Sequence, residues 1–273
     1  MFLLRDAIYL IELAFYGPIV PAIVFIVLIH GGKKPYTWRS IVLPLLILTG
    51  LRVAGAALGL TAMNPDKSSL LNTATLLDTI GLAPVLCLII GLLIRANAPL
   101  DRGLPLWVFI PLQLIVIGAT IMTAYGGRDL YSARENQGRD MTLMRVGIFL
   151  FIATFTITII LTIFTMLKVS EKRHRIERAA AVCALLSVPF MSARLAFSAG
   201  SLFSGEDSVL NPMTDNDTEV WLHLFMVIIM EYVVVLSATG VALTARKVSA
   251  GKDTGFGKDD VFGKEDILSD DDV

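Results

Sequence analysis

Residues 40–63 read SIVLPLLILTGLRVAGAALGLTAM, an apolar run in which Arg52 is the single ionisable side chain. About 20 such residues in a helix rising ~1.5 Å per residue cross a ~30 Å hydrocarbon layer. The stretch therefore predicts a membrane-spanning helix. A charge near the centre of such a helix costs about 2.5 to 3.5 kcal/mol on insertion scales, so Arg52 is expected to face other helices and find counter-charges there.

Working outward, six more runs of this kind occur at 7–30, 72–94, 104–125, 144–167, 179–203 and 220–244. The chain has 273 residues, 55% hydrophobic and only 17% charged, which leaves no ordinary soluble domain among them. The expected fold is an all-α bundle of seven transmembrane helices. It forms one membrane domain over 1–244, followed by a disordered acidic tail over 245–273. The first run is too long for a secretory signal, follows one basic residue (Arg5) and lacks an A-x-A-like cleavage site, so it is expected to be retained. Cys87 and Cys183 fall inside spans three and six and read as small core residues.

Orientation follows from lysine and arginine in alternate loops. One side carries Lys33, Lys34, Arg39, Arg95, Arg102, Lys168, Lys172, Arg173, Arg175, Arg178, Arg246 and Lys247. The other carries half as many: Arg5, Lys67, Arg128, Arg134, Arg139 and Arg145. The N-terminus is expected outside and the C-terminus in the cytoplasm, of a plasma membrane or an endomembrane. Trp38, Trp107 and Trp221 lie at helix boundaries, where amphipathic rings settle. Pro18, Pro21, Pro44, Pro84, Pro111 and Pro189 fall within spans and can kink them.

Five ionisable residues lie inside the spans: Glu12, Arg52, Asp78, Arg194 and Glu231, with His223 near the outer end of span seven. Counting ~1.5 Å per residue puts the first four roughly 18 to 22 Å above the cytoplasmic edge and Glu231 at about 14 Å. They are expected to form a nearly balanced polar cluster in the outer half. One reading makes it a set of buried ion pairs that fix helix register. The other makes it the floor of an outward-facing pocket, in which Arg52 or Arg194 holds an acidic or phosphate-bearing head group and Glu231 exchanges a proton. The stretch RVAGAALGL (52–60) also lines up with RLAFSAGSL (194–202), each followed in the next span by an acid. Two parallel three-helix repeats joined by span four would have this pattern.

Absences narrow the function. Span seven has no lysine for a retinal Schiff base. His30 and His174 are expected on the opposite side from His223, so the three histidines cannot share a metal. Neither a G-x-S-G nor a G-x-G-D protease motif is present, and span three ends Ile94-Arg95-Ala96 without the acidic-Arg-aromatic triplet of rhodopsin-type receptors. No catalytic group, metal or cofactor is expected, and no nucleic-acid partner.

The runs LIHGGKKPYTWRS (28–40), TGLRVAGAALGL (49–60), LLDTIGLAPVLCLIIGLL (76–93), MSARLAFSAGSL (191–202) and FMVIIMEYVVVLSATGVAL (225–243) resemble a fungal family of seven-helix integral membrane proteins of unknown function. Arg52, Arg194 and the Glu231-Tyr232 pair are the most specific points of that resemblance. It looks more distantly like lipid-translocating proteins of the resistance-to-aminocholesterol type and like Pth-like fungal receptors, without the latter's cysteine-rich outer domain. The resemblance implies a membrane protein whose partners are membrane lipids and a small hydrophobic or amphipathic ligand.

Three peripheral features complete the reading. The basic loop KVSEKRHRIER (168–178) is expected to set topology and offers a docking place for a cytoplasmic partner or an anionic leaflet. Asn216 in Asn216-Asp217-Thr218 is a candidate glycosylation acceptor beside span seven. The tail carries FGKDDV and FGKEDI in tandem, then Ser269 before three aspartates, a candidate phosphorylation site. Sensing of a ligand or lipid is the expected function, with transport of a lipid or small molecule as the alternative and a membrane enzyme as the third and least favoured.

Overall fold

The computed structural model describes residues 2–30, 38–62, 69–98, 104–130, 137–170, 175–203 and 217–244. All regular structure among them is helical: α1 (Phe2–Tyr16), α2 (Ile19–His30), α3 (Arg39–Thr61), α4 (Ser69–Ile80), α5 (Leu82–Asn97), α6 (Leu106–Leu130), α7 (Gln137–Ser170), α8 (Arg175–Phe203), α9 (Asp217–His223) and α10 (Met230–Thr244). They make seven lengths apolar enough to cross a membrane, Asp6–Leu28, Arg39–Thr61, Thr73–Asn97, Leu106–Gly127, Met141–Val169, Glu177–Phe203 and Val220–Thr244. Asn216, Ser269, the tail repeat and residues 171–174 of the basic loop lie outside the described residues.

Three spans are not continuous helices. Span one breaks at Gly17–Pro18, because Pro18 has no N–H to return to the Ala14 carbonyl; Gly17 still donates to Leu13 O at 2.8 Å before α2 restarts. Span three breaks at Gly81, whose N–H is shared between Leu77 O and Asp78 O, each at 3.2 Å. Span seven passes through a π-helical turn, Leu224–Ile229, between α9 and α10. Pro44, Pro111 and Pro189, by contrast, sit inside unbroken α3, α6 and α8. Pro21 and Pro84 occupy first turns, where an N–H has no helical partner to lose.

α5 is the centre of the bundle. Leu86, Leu88, Ile89, Ile90, Leu92 and Leu93 are all fully buried, so the helix is apolar on every side, as a core helix must be. It packs against α3, α6, α7, α8 and α10. At Gly91 the α3 backbone comes so close that a Cβ would stand 2.7 Å from the Ser40 carbonyl carbon. On the opposite, lipid-facing side of the bundle, Trp107, Ile110, Leu114, Ile117 and Ile121 recur at helical spacing along α6 and stay exposed. Buried Thr154, Thr158, Thr162 and Thr165 run down α7, their small side chains admitting close neighbours. Thr158 and Thr162 satisfy their hydroxyls on the carbonyls one turn back, and Thr165 accepts from Asn97 Nδ2 at 2.8 Å.

The helices at the basic end run further than hydropathy alone suggests. α7 continues to Ser170 and α8 begins at Arg175, so most of the 168–178 stretch is helix end and not loop. Polar residues beyond the hydrocarbon cost little there, and the backbone keeps its internal hydrogen bonds. Lys168 folds back so that Nζ lies 4.2 Å from the Phe164 ring centroid. Arg95 covers the Trp38 ring at 5.1 Å and reaches Glu177 at 4.0 Å, tying spans two, three and six at that face.

Gly91→Ala is expected to lower the melting temperature by forcing α3 and α5 apart, at a cost of about 1–3 kcal/mol. Gly118→Ala, where a Cβ would meet nothing within 4 Å, should change stability by less than about 0.5 kcal/mol. Thermal unfolding of both variants in one detergent compares them directly.

Candidate functional site

Arg52 projects from α3 into the bundle and is almost completely enclosed, 3% exposed. Its Nε donates to Glu231 Oε2 at 2.8 Å and its Nη2 makes a second bond to the same oxygen. Its Nη1 donates to Asp78 Oδ1 and, at 3.2 Å, to Glu12 Oε1. One guanidinium thus meets three carboxylates from α1, α4 and α10. Gly81 permits this, because a Cβ there would sit 3.0 Å from Arg52 Nη2 and 3.3 Å from its Cζ.

Arg194 of α8 stands on the other side of Glu231 and donates from Nε to Oε1 at 2.8 Å. Each oxygen of Glu231 therefore serves one arginine. Arg194 Nη1 is held by Ser198 Oγ at 2.6 Å, one turn along the same helix. Its Nη2 donates to the backbone carbonyl of Asp78 at 3.2 Å. In an unbroken helix the Leu82 N–H would take that carbonyl; at the Gly81 interruption it accepts instead from the Gly81 N–H, at 3.2 Å, and from the arginine through its second lone pair.

His223 closes the network: its Nε2 lies 2.7 Å from Asp78 Oδ2. An ionised carboxylate only accepts, so this nitrogen carries a proton. The π-turn brings the histidine here. Eight α-helical residues would leave His223 about 80° around the helix from Glu231, whereas one residue absorbed by a π-bulge reduces this to about 20°. Phe197 packs its ring against the imidazole, centroids 6.2 Å apart.

All five intramembrane residues singled out in the sequence meet in this one network, and its members come from spans one, two, three, six and seven. Depth counting sets Glu231 apart from the rest, yet it is the central acid, reached by two long arginine side chains. The structure adds three contacts that the sequence reading did not contain. Ser198 lies four residues from Arg194, a spacing that is visible once the arginine is known to be buried. The Asp78 carbonyl depends on a helix break, and the His223 contact depends on the π-turn; neither has a sequence signature. Tyr16, one turn beyond Glu12, is fully buried with a hydroxyl that has no hydrogen-bond partner, and it lies within electrostatic reach of Glu231 and Arg52. Tyr232 packs edge-on to it at 5.8 Å and stacks on Phe15 at 4.6 Å.

Chemically, Arg52 is held by three of the protein's own acids, while Arg194 is held by Glu231, the Ser198 hydroxyl and the Asp78 backbone carbonyl. An external acid would have to compete with these partners. The network is sealed at Glu12, Arg52, Arg194 and Glu231, while the Asp78 and His223 side chains are 21% and 25% exposed. That edge lies at the face where span seven begins. Among the described residues no group of three or more His, Cys, Asp and Glu side chains is arranged to hold a metal ion.

The sequence matches, over residues 2–248, the family described as Domain of unknown function (DUF7702). No curated protein and no solved structure matches it.

Removing one partner of a buried ion pair costs about 3–5 kcal/mol, because the other charge is left stranded. Glu231→Ala strands two arginines and is expected to be the most destabilising carboxylate substitution. Glu12→Ala removes a single 3.2 Å contact and should be the mildest, with Asp78→Ala between them. Melting temperatures of the three variants test that order.

Proposed function

The chain belongs to the DUF7702 family, a domain of unknown function, and from the cluster we propose that it is a multi-pass membrane protein that senses a ligand or lipid through this polar site. The observation that carries the reading is the shape of the network. Five spans are joined through one sealed set of charges that opens at a single edge, Asp78–His223. An occupant at that edge competes for the Asp78 carboxylate, which also holds Arg52, and through Arg52 for Glu231 and Arg194. A local contact is in this way linked to the packing of helices far apart in sequence, as a sensor requires. The buried Tyr16 hydroxyl adds an open hydrogen-bonding position beside the same charges. An amphipathic molecule suits the site, with a polar head at Asp78–His223 and an apolar part along the exposed helix faces. The resemblance to fungal membrane proteins of the lipid-translocating and Pth-like receptor types is in keeping with such a ligand.

Transport of a lipid or small molecule is the second reading, and the helix interruptions favour it. Spans one, three and seven all break beside the cluster, and discontinuous helices around a charged mid-membrane site are a feature of transporters. The basic 168–178 stretch and the tail serve sensing better, as places where a cytoplasmic partner docks.

Native mass spectrometry of gently solubilised protein, beside Arg194→Ala of equal folding, tests the site. A discrete lipid or small molecule is expected on the wild type and lost from the variant; no specific species on either would overturn the reading. Should Arg194→Ala misfold, Arg194→Lys keeps the charge and removes the forked geometry. Flux of the retained species into proteoliposomes would favour transport, and its ligand-dependent recruitment of a cytoplasmic protein without flux would favour sensing.

A further inference from the structure

With all three carboxylates ionised and His223 neutral, the two guanidinium groups leave the network one negative charge in excess. An isolated charge in the membrane interior is costly by several kcal/mol. A metal ion cannot balance it, because the centre, where three carboxylates converge, is already filled by Arg52. The ion that fits is a proton, and His223, a quarter exposed, stands at the edge of the network to take it. We propose that the cluster is a one-proton binding site, with the exchangeable proton taken up on His223 Nδ1 from the face where span seven begins.

The geometry selects His223 over the other groups around it. Glu231 accepts from an arginine on each oxygen, and Asp78 accepts from Arg52 on one and from His223 on the other. Protonating either acid would break a bond already made. Glu12 on α1 accepts from Arg52 at 3.2 Å and lies away from the open edge, and Glu12→Gln is the variant that separates it from His223. Tyr16 on α1, packed against Tyr232 on α10, also borders the network, and a neutral phenol already carries its proton. Arg52 on α3 and Arg194 on α8 stay charged. His223, partly exposed, already spends its Nε2 proton on Asp78, so an incoming proton goes to Nδ1 and turns the contact into an ion pair. The network then carries three negative and three positive charges. Deprotonation restores the imbalance and weakens the hold of span seven on span three at the π-turn.

The proposal deepens the sensing reading by naming the ion bound at its open edge, and it is tested without any ligand or flux, so either can fail alone. The measurement is histidine-selective NMR of the full chain in micelles from about pH 5 to about pH 8, with melting temperature followed over the same range. The chain has three histidines, so the His223 signal is identified by its loss in His223→Gln. That variant can still donate to Asp78 but cannot take up a proton. The expected result is an imidazole that titrates in the wild type, with a melting temperature higher by a few degrees on the acid side. That difference should be lost in His223→Gln and kept in Glu12→Gln. A His223 ring that stays neutral throughout, or a pH dependence removed by Glu12→Gln and untouched by His223→Gln, would overturn the proposal. If His223→Gln does not fold, variants at His30 and His174 assign the wild-type signal by elimination, and the ring's titration decides.

Discussion

A guanidinium group cannot stand alone in hydrocarbon, and much of this bundle is organised around that constraint at Arg52. Its donors point in fixed directions, so the acids that satisfy them must approach from α1, α4 and α10 at set heights. Placing Arg52 thereby fixes the register of three other spans against α3. Arg194 extends the same logic to α8 by taking the second oxygen of Glu231. Apolar packing around α5 also restricts register, most tightly where α3 crosses Gly91. The charges add to this, because a misplaced arginine loses its partners entirely.

The backbone yields where the charges need room. Glycine at the break, Gly81, keeps a side chain out of the path of Arg52, and the Asp78 carbonyl there accepts from Arg194 beside the Gly81 N–H. The π-turn rotates the start of span seven so that His223 reaches Asp78. Span one breaks next to Tyr16, again beside the network. Each interruption gives up regular helix hydrogen bonding, which is expensive in a membrane, and in two of the three the geometry shows what is gained in return. Such interruptions are also the places where a packed bundle has room to rearrange, which links the architecture of the site to the switching role proposed for it.

Among the described residues the far face of the bundle has no comparable centre. Arg95 is shared between the Trp38 ring and Glu177, and Asn97 ties Leu104 to Thr165 of α7 through its amide. These contacts fasten helix ends, each joining three residues around one side chain. The asymmetry between the two faces is why function is sought at Asp78–His223.

Read as a string, the chain determined its solvent, its seven crossings and the five charged residues that had to turn inward, because length and polarity against a hydrocarbon layer are properties of composition along a line. Ser198 beside Arg194 and Tyr16 beside Glu12 were within reach of the same reading, since four residues make one helical turn. Which acid each arginine would hold was not. That depended on how neighbouring helices pack, on a carbonyl shared with Arg194 at the Gly81 break and on one residue absorbed in a π-turn. Pairing is set by angles and distances between segments remote in sequence, and only the folded bundle contains them.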